Sequence, residues 1–547
     1  MKNISHKFSI LFLLLVPAAV GLLAGTGCRQ ISIWSKDKPA EEKVAQEPEE
    51  KKKAFFVGDI VSVDNVGFIE VTSVSLVTNL AGTGSDPPQS QYRTFLLREM
   101  ASQDVAKPNA VLADPRTSLV VVTGYLPPAV QKGDRFDLDV SVPADSETTS
   151  LRGGYLLSAP LREICYMEGV REGKKFGVGS GPVLIEPRTG TDRDKVTQVR
   201  GVVLGGGVSH VTLPVRLIVK QHLVKTDIYQ TMKIESAINR RFQVTGPNGL
   251  RQNVAKAKDD RVLEILIPPK YKDNKTRFLQ VVRCLPIIEP QTQRMARLED
   301  LQKRLQDPET SRRAALELEA IGQSAVETLK TGLESADASV RFYSAQSLAY
   351  LDESCAAQEL GRVALNDREN RAFALSALSA LDDLYAYEEL RKLMNAPVAE
   401  ARYGAFRALS AMRPEDPLVK GETLGKDSFK LCVVPSDEKP MLHVRKTEKA
   451  EIVLFGENQE FAYPFLFEAA NNIVIRAESE TRMSVVKFTP NQPDKRKTTS
   501  MQTADVIRAL AEVGATYPDI IEILQEAINQ GALSASFRID SIPQVRK

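Results

Sequence analysis

SLVVVTGYLPPAVQKGDRFDLDVSVPADSETTSLRGGYLLSAPL, residues Ser118 to Leu161, decides the reading of the chain. Leu119 to Gly124 is a β-branched run suited to a strand buried on both faces, and Pro127-Pro128 ends it because proline brings no ladder donor. Lys132-Gly133-Asp134 is turn chemistry. From Arg135 the pattern alternates strictly, with Phe136, Leu138, Val140 and Val142 on one face and Arg135, Asp137, Asp139 and Ser141 on the other, which is a half-buried antiparallel strand. After a polar loop and Gly153-Gly154, a third apolar run covers Tyr155 to Leu161. The stretch is a strand-turn-strand scaffold without a nucleophile, base or metal ligand.

Composition sets outer limits. At 547 residues the chain is too long for one compact domain, and two to four are expected. Lys+Arg 72 against Asp+Glu 70 gives no electrostatic case for nucleic acid. One tryptophan and four histidines disfavour an aromatic or histidine-rich site. Lys2 and Lys7, the apolar run Ile10 to Leu23 and the small residues Ala24 to Gly27 form a targeting segment over 1–28, too short for a span. Cys28 after Gly27 resembles the acylated cysteine of a lipoprotein signal, so lipidation at Cys28 is expected; the alternative is ordinary secretion. Residues 29–53, dense in Lys and Glu, cannot bury enough surface to fold and read as a flexible tether. Cys165, Cys284, Cys355 and Cys432 lie too far apart for a zinc spacing, and their pairing is open. Cys355 is expected to be a buried free thiol.

The order of blocks T-G-Y-L-P-P, K-G-D-R-F-D-L-D-V-S-V and S-L-R-G-G-Y-L-L-S-A-P-L resembles the signature of the flagellar basal-body P-ring protein family, with Leu151-Arg152-Gly153-Gly154 its sharpest part. The resemblance extends to Asn79-Leu80-Ala81-Gly82-Thr83-Gly84, to Ile238-Asn239-x-x-Phe242, and to the chain end in Val513-Gly514-Ala515, Pro518-Asp519-Ile520-Ile521 and Gly531-Ala532-Leu533. It covers about 54–290 and resumes over about 425–547. It implies a periplasmic ring subunit around the flagellar rod, with rod and L-ring proteins as partners, no cofactor and no catalytic role.

Other elements follow from pattern. Gln89 to Met100 and Lys225 to Phe242, capped by Thr226 or Asp227, predict helices; Val211 to His222, Val262 to Pro268 and Phe278 to Pro286 predict strands. Gly177, Gly179 and Gly181, like Gly205-Gly206-Gly207, read as hairpin or loop glycines. Between about Arg294 and Pro414 a period appears. Leu318, Leu348, Leu378 and Leu409 recur with Ile321, Leu351, Leu381 and Met412 three positions later, and Arg341, Arg371 and Arg402 seven before. This predicts stacked helix pairs resembling HEAT-type repeats, inserted through an exposed surface loop. The arginines are a candidate repeat face, though such residues more often brace neighbouring units. Beyond Pro417, Phe429 to Val434, Glu451 to Leu454 and Ile473 to Ala477 predict strands and Asn491 to Thr499 a basic polar loop. Two helices, one capped by Thr503 and one from Asp519, and a strand Ser534 to Ile539 close the chain.

The expectation is therefore an α+β chain: signal (1–28), tether (29–53), β-rich P-ring-like domain (54–290), helical repeats (291–417) and a C-terminal P-ring-like α+β domain (418–547). A ring needs a heterologous interface. Edge strands with Gly-rich segments suit it, so Arg135, Asp137, Leu151, Arg152, Gly153 and Gly154, with Asp519 and Gln525 of the last helix, are the expected subunit contacts. A homo-oligomeric ring, a lipid-held membrane anchor and an envelope protein on the repeats are the expected partners. The competing reading is an envelope lipoprotein that serves a non-flagellar assembly through its repeats. His210, His222 and His443 have no acidic or cysteine partner at ligand spacing, and H-E-x-x-H, G-x-S-x-G and Walker sequences are absent.

Overall fold

A computed structural model describes residues 56–166, 170–185, 194–222, 227–246, 248–425, 429–469, 473–488 and 493–541. Cys28, the targeting segment and the tether lie outside them. The chain divides into Met1–Lys53 and a compact unit, Ala54–Lys547.

The alternating strand of the opening stretch lies within a closed antiparallel barrel. Its strands are β1 (Ile69–Thr78), β2 (Ser118–Leu126), β3 (Arg135–Ser141), β4 (Tyr155–Tyr166), β5 (Val170–Pro182) and β6 (Arg200–Ser209). Their order is β1-β2-β3-β6-β5-β4, and β4 pairs back onto β1. Phe136, Leu138 and Val140 point inward with Val71, Val120, Val122, Leu161 and Val203. The glycines of β5 and β6 are strand residues, not hairpin residues. A Cβ on Gly179 would lie 2.3 Å from Leu138, and one on Gly207 2.7 Å from Phe136. Their missing side chains let the large inward residues of β3 fill a narrow barrel. Closure also removes the strand edges expected in this region.

Helix α1 (Gln91–Ser102), capped by Ser90, lies on the outside of the barrel through Leu96 and Met100 against Leu76 and Leu119. A small antiparallel sheet follows, ordered Val61–Asp64, Val215–Val219, Val262–Ile265, Ala255–Ala257. It shares a core with α2 (Ile228–Arg241) and α3 (Lys275–Arg283). Asp227 is the residue that caps α2; Thr226 lies outside the described residues. Helix α3 corrects the strand expected at Phe278–Pro286. Phe278, Val281 and Val282 stand at i, i+3 and i+4, and Asn274 accepts from the Arg277 amide as an N-cap.

Eight helices then run in pairs: α4 (Gln291–Leu305), α5 (Pro308–Ile321), α6 (Val326–Leu333), α7 (Ala338–Tyr350), α8 (Ala357–Asn366), α9 (Arg371–Leu381), α10 (Leu384–Leu393) and α11 (Ala399–Met412). Helices α5, α7, α9 and α11 touch in succession as one row. Leu318, Leu348, Leu378 and Leu409 are fully buried along it, each stabilising by about 1.5–3 kcal/mol. Ile321, Leu351 and Leu381 are buried and Met412 is half-buried.

These helices do not hang from an exposed loop. Their core is continuous with the small sheet at one end and with Cys432, Val453 and Phe455 at the other. At the first junction Arg277 of α3 donates to Glu319 of α5 at 2.5 and 3.0 Å, to Gln346 at 2.5 Å and to Ser347 of α7 at 2.8 Å. Tyr271 donates to the other Glu319 oxygen at 2.8 Å. At the second, Tyr403 of α11 donates to Glu451 at 3.0 Å and stacks on His443, ring centroids 3.4 Å apart.

The last part holds a five-stranded mixed sheet of β7 (Glu422–Leu424), β8 (Phe429–Val434), β9 (Met441–Arg445), β10 (Glu451–Phe455) and, from the chain end, β15 (Ser536–Ile539), ordered β7-β8-β10-β9-β15. Strands β11 (Leu466–Ala469), β12 (Ile473–Ser479), β13 (Arg482–Lys487) and β14 (Lys495–Thr499) form an antiparallel sheet. β14 replaces the polar loop expected there; it is an edge strand whose exposed Lys495, Arg496 and Lys497 suit such a position. Helices α12 (Thr503–Val513) and α13 (Tyr517–Asn529) cover both sheets through Val506, Ile507, Leu510, Ile520, Ile521 and Leu524. Thr503 is the first residue of α12 and Gln502 its cap position. Helix α13 begins at Tyr517, before the Asp519 expected. Cys284, Cys355 and Cys432 are free thiols, and Cys355 is exposed rather than buried, in the short turn before α8. The Cys165 side chain lies outside the described residues.

Arg277→Ala leaves the Glu319 carboxylate buried without its cation, a change expected to cost about 3–5 kcal/mol. Arg313→Ala, on the exposed end of an ion pair with Glu317, is expected to cost under about 1 kcal/mol. Urea-denaturation midpoints of the two variants check the contrast.

Burial on β9 under Tyr403 of α11, with Arg445 and Arg407 nearby, pushes His443 down to about 3. The unfolded chain binds that proton from about pH 6.5 downward and the folded chain does not, so stability is full above that pH and falls as pH drops toward 3. His443→Gln is expected to flatten this acid limb by up to about 1.4 kcal/mol per pH unit, read from unfolding midpoints across pH 4–7.

Candidate functional site

Leu151-Arg152-Gly153-Gly154 is a tight turn closed by the Gly154 amide donating to the Leu151 carbonyl at 3.0 Å. Gly153 has φ +71°, with nothing within 4 Å of its missing Cβ, so backbone conformation alone asks for glycine there. Gly154 is a matter of space: a Cβ would lie 2.3 Å from Val77. Leu151 is fully buried, and its amide donates to the Gln198 carbonyl at 2.9 Å. The turn therefore holds Arg152 outward from a fixed base.

Arg152 reaches α13. It pairs with Asp519 at 3.3 Å and with Glu522 at 2.5 Å. Asp519 is fully buried, and its other oxygen accepts from the Thr516 amide at 2.9 Å and hydroxyl at 2.6 Å, forming the capping box of α13. One carboxylate thus starts the helix and ties it to the barrel. Gln525 is half-buried on the same helix.

A second tie stands on β3. Asp137 accepts from the Gly205 amide at 2.7 Å and, through its other oxygen, from the Glu448 amide at 2.7 Å. Burial raises the Asp137 carboxyl from its ordinary range although both amides pull it down. Arg135 donates to the Gly205 carbonyl at 3.1 Å. Gly205 sits at the β3–β6 register shift with φ +56°, and a Cβ there would lie 2.5 Å from the Glu448 carbonyl oxygen.

The three periodic arginines bind within the chain. Arg341 donates to the carbonyls of Ser335 and Ala336, at 2.8 and 2.7 Å, and pairs with Glu359. Arg371 donates to the carbonyls of Ala364 and Leu365, in the last turn of α8, at 2.8 and 3.1 Å. Arg402 donates to the Lys439 carbonyl at 3.0 Å and the Ser436 hydroxyl at 2.7 Å. Arg371 and Arg402 are buried.

His210 and His222 are exposed, while His443 accepts from the Ser541 amide at 3.0 Å. Among the described residues no cluster of three or more His, Cys, Asp or Glu stands at metal-holding distance, and no helix is long and apolar enough to cross a membrane. Burial pushes the Cys284 and Cys432 thiols up to about 11 and about 12, which suits packing rather than nucleophilic chemistry. One cleft of about 740 Å³ opens between α1 and the outer faces of β1, β2 and β4. No local sequence pattern signals it, because it forms only where a helix crosses a barrel.

Residues 57–298 match the family model described as flagellar P-ring protein. Over this stretch the chain is similar to the P-ring protein family. The stretch takes in the small sheet, the barrel, α2 and α3, and it ends inside α4. Among the relatives, the flagellar P-ring protein of Thermotoga maritima is 28% identical over 244 residues, 43% of this chain and 66% of that protein. That of Oleidesulfovibrio alaskensis is 25% identical over 244 residues, 43% and 61%. That of Aquifex aeolicus is 28% identical over 244 residues, 42% and 61%. The chain thus spans roughly three-fifths to two-thirds of these P-ring proteins. Residues 425–547, where the motifs led to the expectation that the likeness resumes, lie outside the matched stretch.

Gly154→Ala is expected to cost about 1–3 kcal/mol through overpacking against Val77. Gly153→Asn, which suits a left-handed turn and meets open space, is expected to cost under about 1 kcal/mol. Thermal midpoints of the two variants separate space from conformation.

Proposed function

We propose that the chain is a structural subunit of a periplasmic ring that surrounds the flagellar rod as a bushing and assembles by contact between copies. The family match over residues 57–298 carries the reading. The construction of the body supports it: a barrel packed solid with its own side chains, and a C-terminal part tied back to it by Arg152 and Asp137. A ring around a turning shaft needs stiff subunits, and a close-packed interior resists deformation. We assign the chain no catalytic role and no cofactor, and place it at the basal body with rod and L-ring proteins as neighbours.

In this proposal the signal over 1–28 directs export, a lipid on Cys28 holds the chain to a membrane, and residues 29–53 are the tether. Residues 291–417 are HEAT-type repeats set between the P-ring-like parts 54–290 and 418–547, and they meet an envelope protein. A second reading, an envelope scaffold outside the flagellum, is favoured by one observation: α5 through α11 and all that follows them lie beyond the matched stretch. Purified full-length protein is expected to form closed annuli by negative-stain electron microscopy, and a deletion strain to lose swimming. Monomers at every concentration together with normal swimming would refute the ring reading and leave the scaffold.

A further inference from the structure

We propose that the cleft between α1 and the barrel receives helix α2 of a second copy of this chain. The inference rests on the ring reading and adds to it the two surfaces that meet. Val74 and Val121 of the barrel form the cleft floor, and Tyr92 and Phe95 of α1 form one wall. Tyr92 is 44% exposed. Glu99, Asp145 and Glu163 also line the cleft, against one guanidinium, Arg162. Three carboxylates and one cation leave it net acidic.

Helix α2 has the complementary character. Ile234, Ala237 and Ile238 bury one face in the core of its own chain. The opposite stripe carries Tyr229, 70% exposed, and Met232, 54% exposed, followed by exposed Lys233 and Arg240. Positions 229, 232, 233, 236 and 240 lie on one side at helical spacing. Large apolar residues on such a stripe are the anchors by which a helix enters a groove, and the basic residues beyond them answer the acidic walls. The cleft and the helix are different surfaces of one chain. Each copy therefore gives one and accepts one, a heterologous contact that repeats head to tail and can close into a ring.

The test uses full-length protein with a photo-crosslinking p-benzoylphenylalanine at Met232, mixed as isotopically light and heavy copies. Light-to-heavy crosslinks are expected onto α1 and the facing strands β1 and β2. The same probe at Tyr92 is expected to reach α2. Lys233→Glu with Arg240→Glu is expected to lower the yield about fivefold, and Glu99→Lys with Glu163→Lys in the same chain to restore it. Annuli by electron microscopy without these crosslinks would overturn the contact and leave the ring reading standing. Neither annuli nor crosslinks would bring down both. Crosslinks within one copy, or onto a different protein, would overturn the second copy as occupant.

Discussion

The Arg152–Asp519 pair joins residues 367 positions apart, and the arrangement of the body depends on it. Asp519 is fully buried, and a buried carboxylate needs hydrogen bonds and a cation nearby. It finds both, the first in Thr516 and the second in Arg152. The capping box shapes the start of α13, and the cation comes from a turn that Gly153 closes at positive φ and Gly154 seats against Val77. Helix and barrel are therefore joined through Asp519, and Glu522 on the same helix pairs with the same guanidinium. Asp137 repeats the device with two backbone amides, one from its own barrel and one from the loop beyond β9.

The helical rows are held by the same principle at larger scale. Their leucines supply burial, but burial is non-directional and does not choose a neighbour. Direction comes from Arg277–Glu319 at one end and from Tyr403, Glu451 and His443 at the other. Arg341, Arg371 and Arg402 do related work between the elements, each donating to carbonyls of a neighbouring segment. Removing a partner from such an arrangement costs more than the bond itself, because the remaining polar group stays buried. Rigidity follows from that asymmetry.

Much of this was legible in the residues. Alternation at Phe136, Leu138 and Val140 gave the barrel strand and its inward face, and the leucine period gave the helix row, because both patterns repeat at their own structural period. Phe278–Pro286 is ambiguous in sequence because a short apolar run with Val281-Val282 fits strand and helix alike, and only the Asn274 cap separates them. The glycines of β5 and β6 looked like turns because nothing local signals that Leu138 and Phe136 of another strand will occupy their space. Barrel closure likewise depends on β4 meeting β1, a contact no window of sequence contains. Of the site residues, Leu151 to Gly154 and Asp519 stood out by motif, whereas their joining, and the cleft beside α1, are products of the tertiary fold.

The claim that the barrel, the helical rows and the C-terminal sheets are one cooperative body has a direct measurement in native-state hydrogen exchange of the full chain under rising urea. Amides of β3, α7 and β10 are expected to converge on one opening free energy with one denaturant dependence, as segments of a single unit do. Separate isotherms, with β10 exchanging at a urea concentration where β3 remains protected, would contradict it.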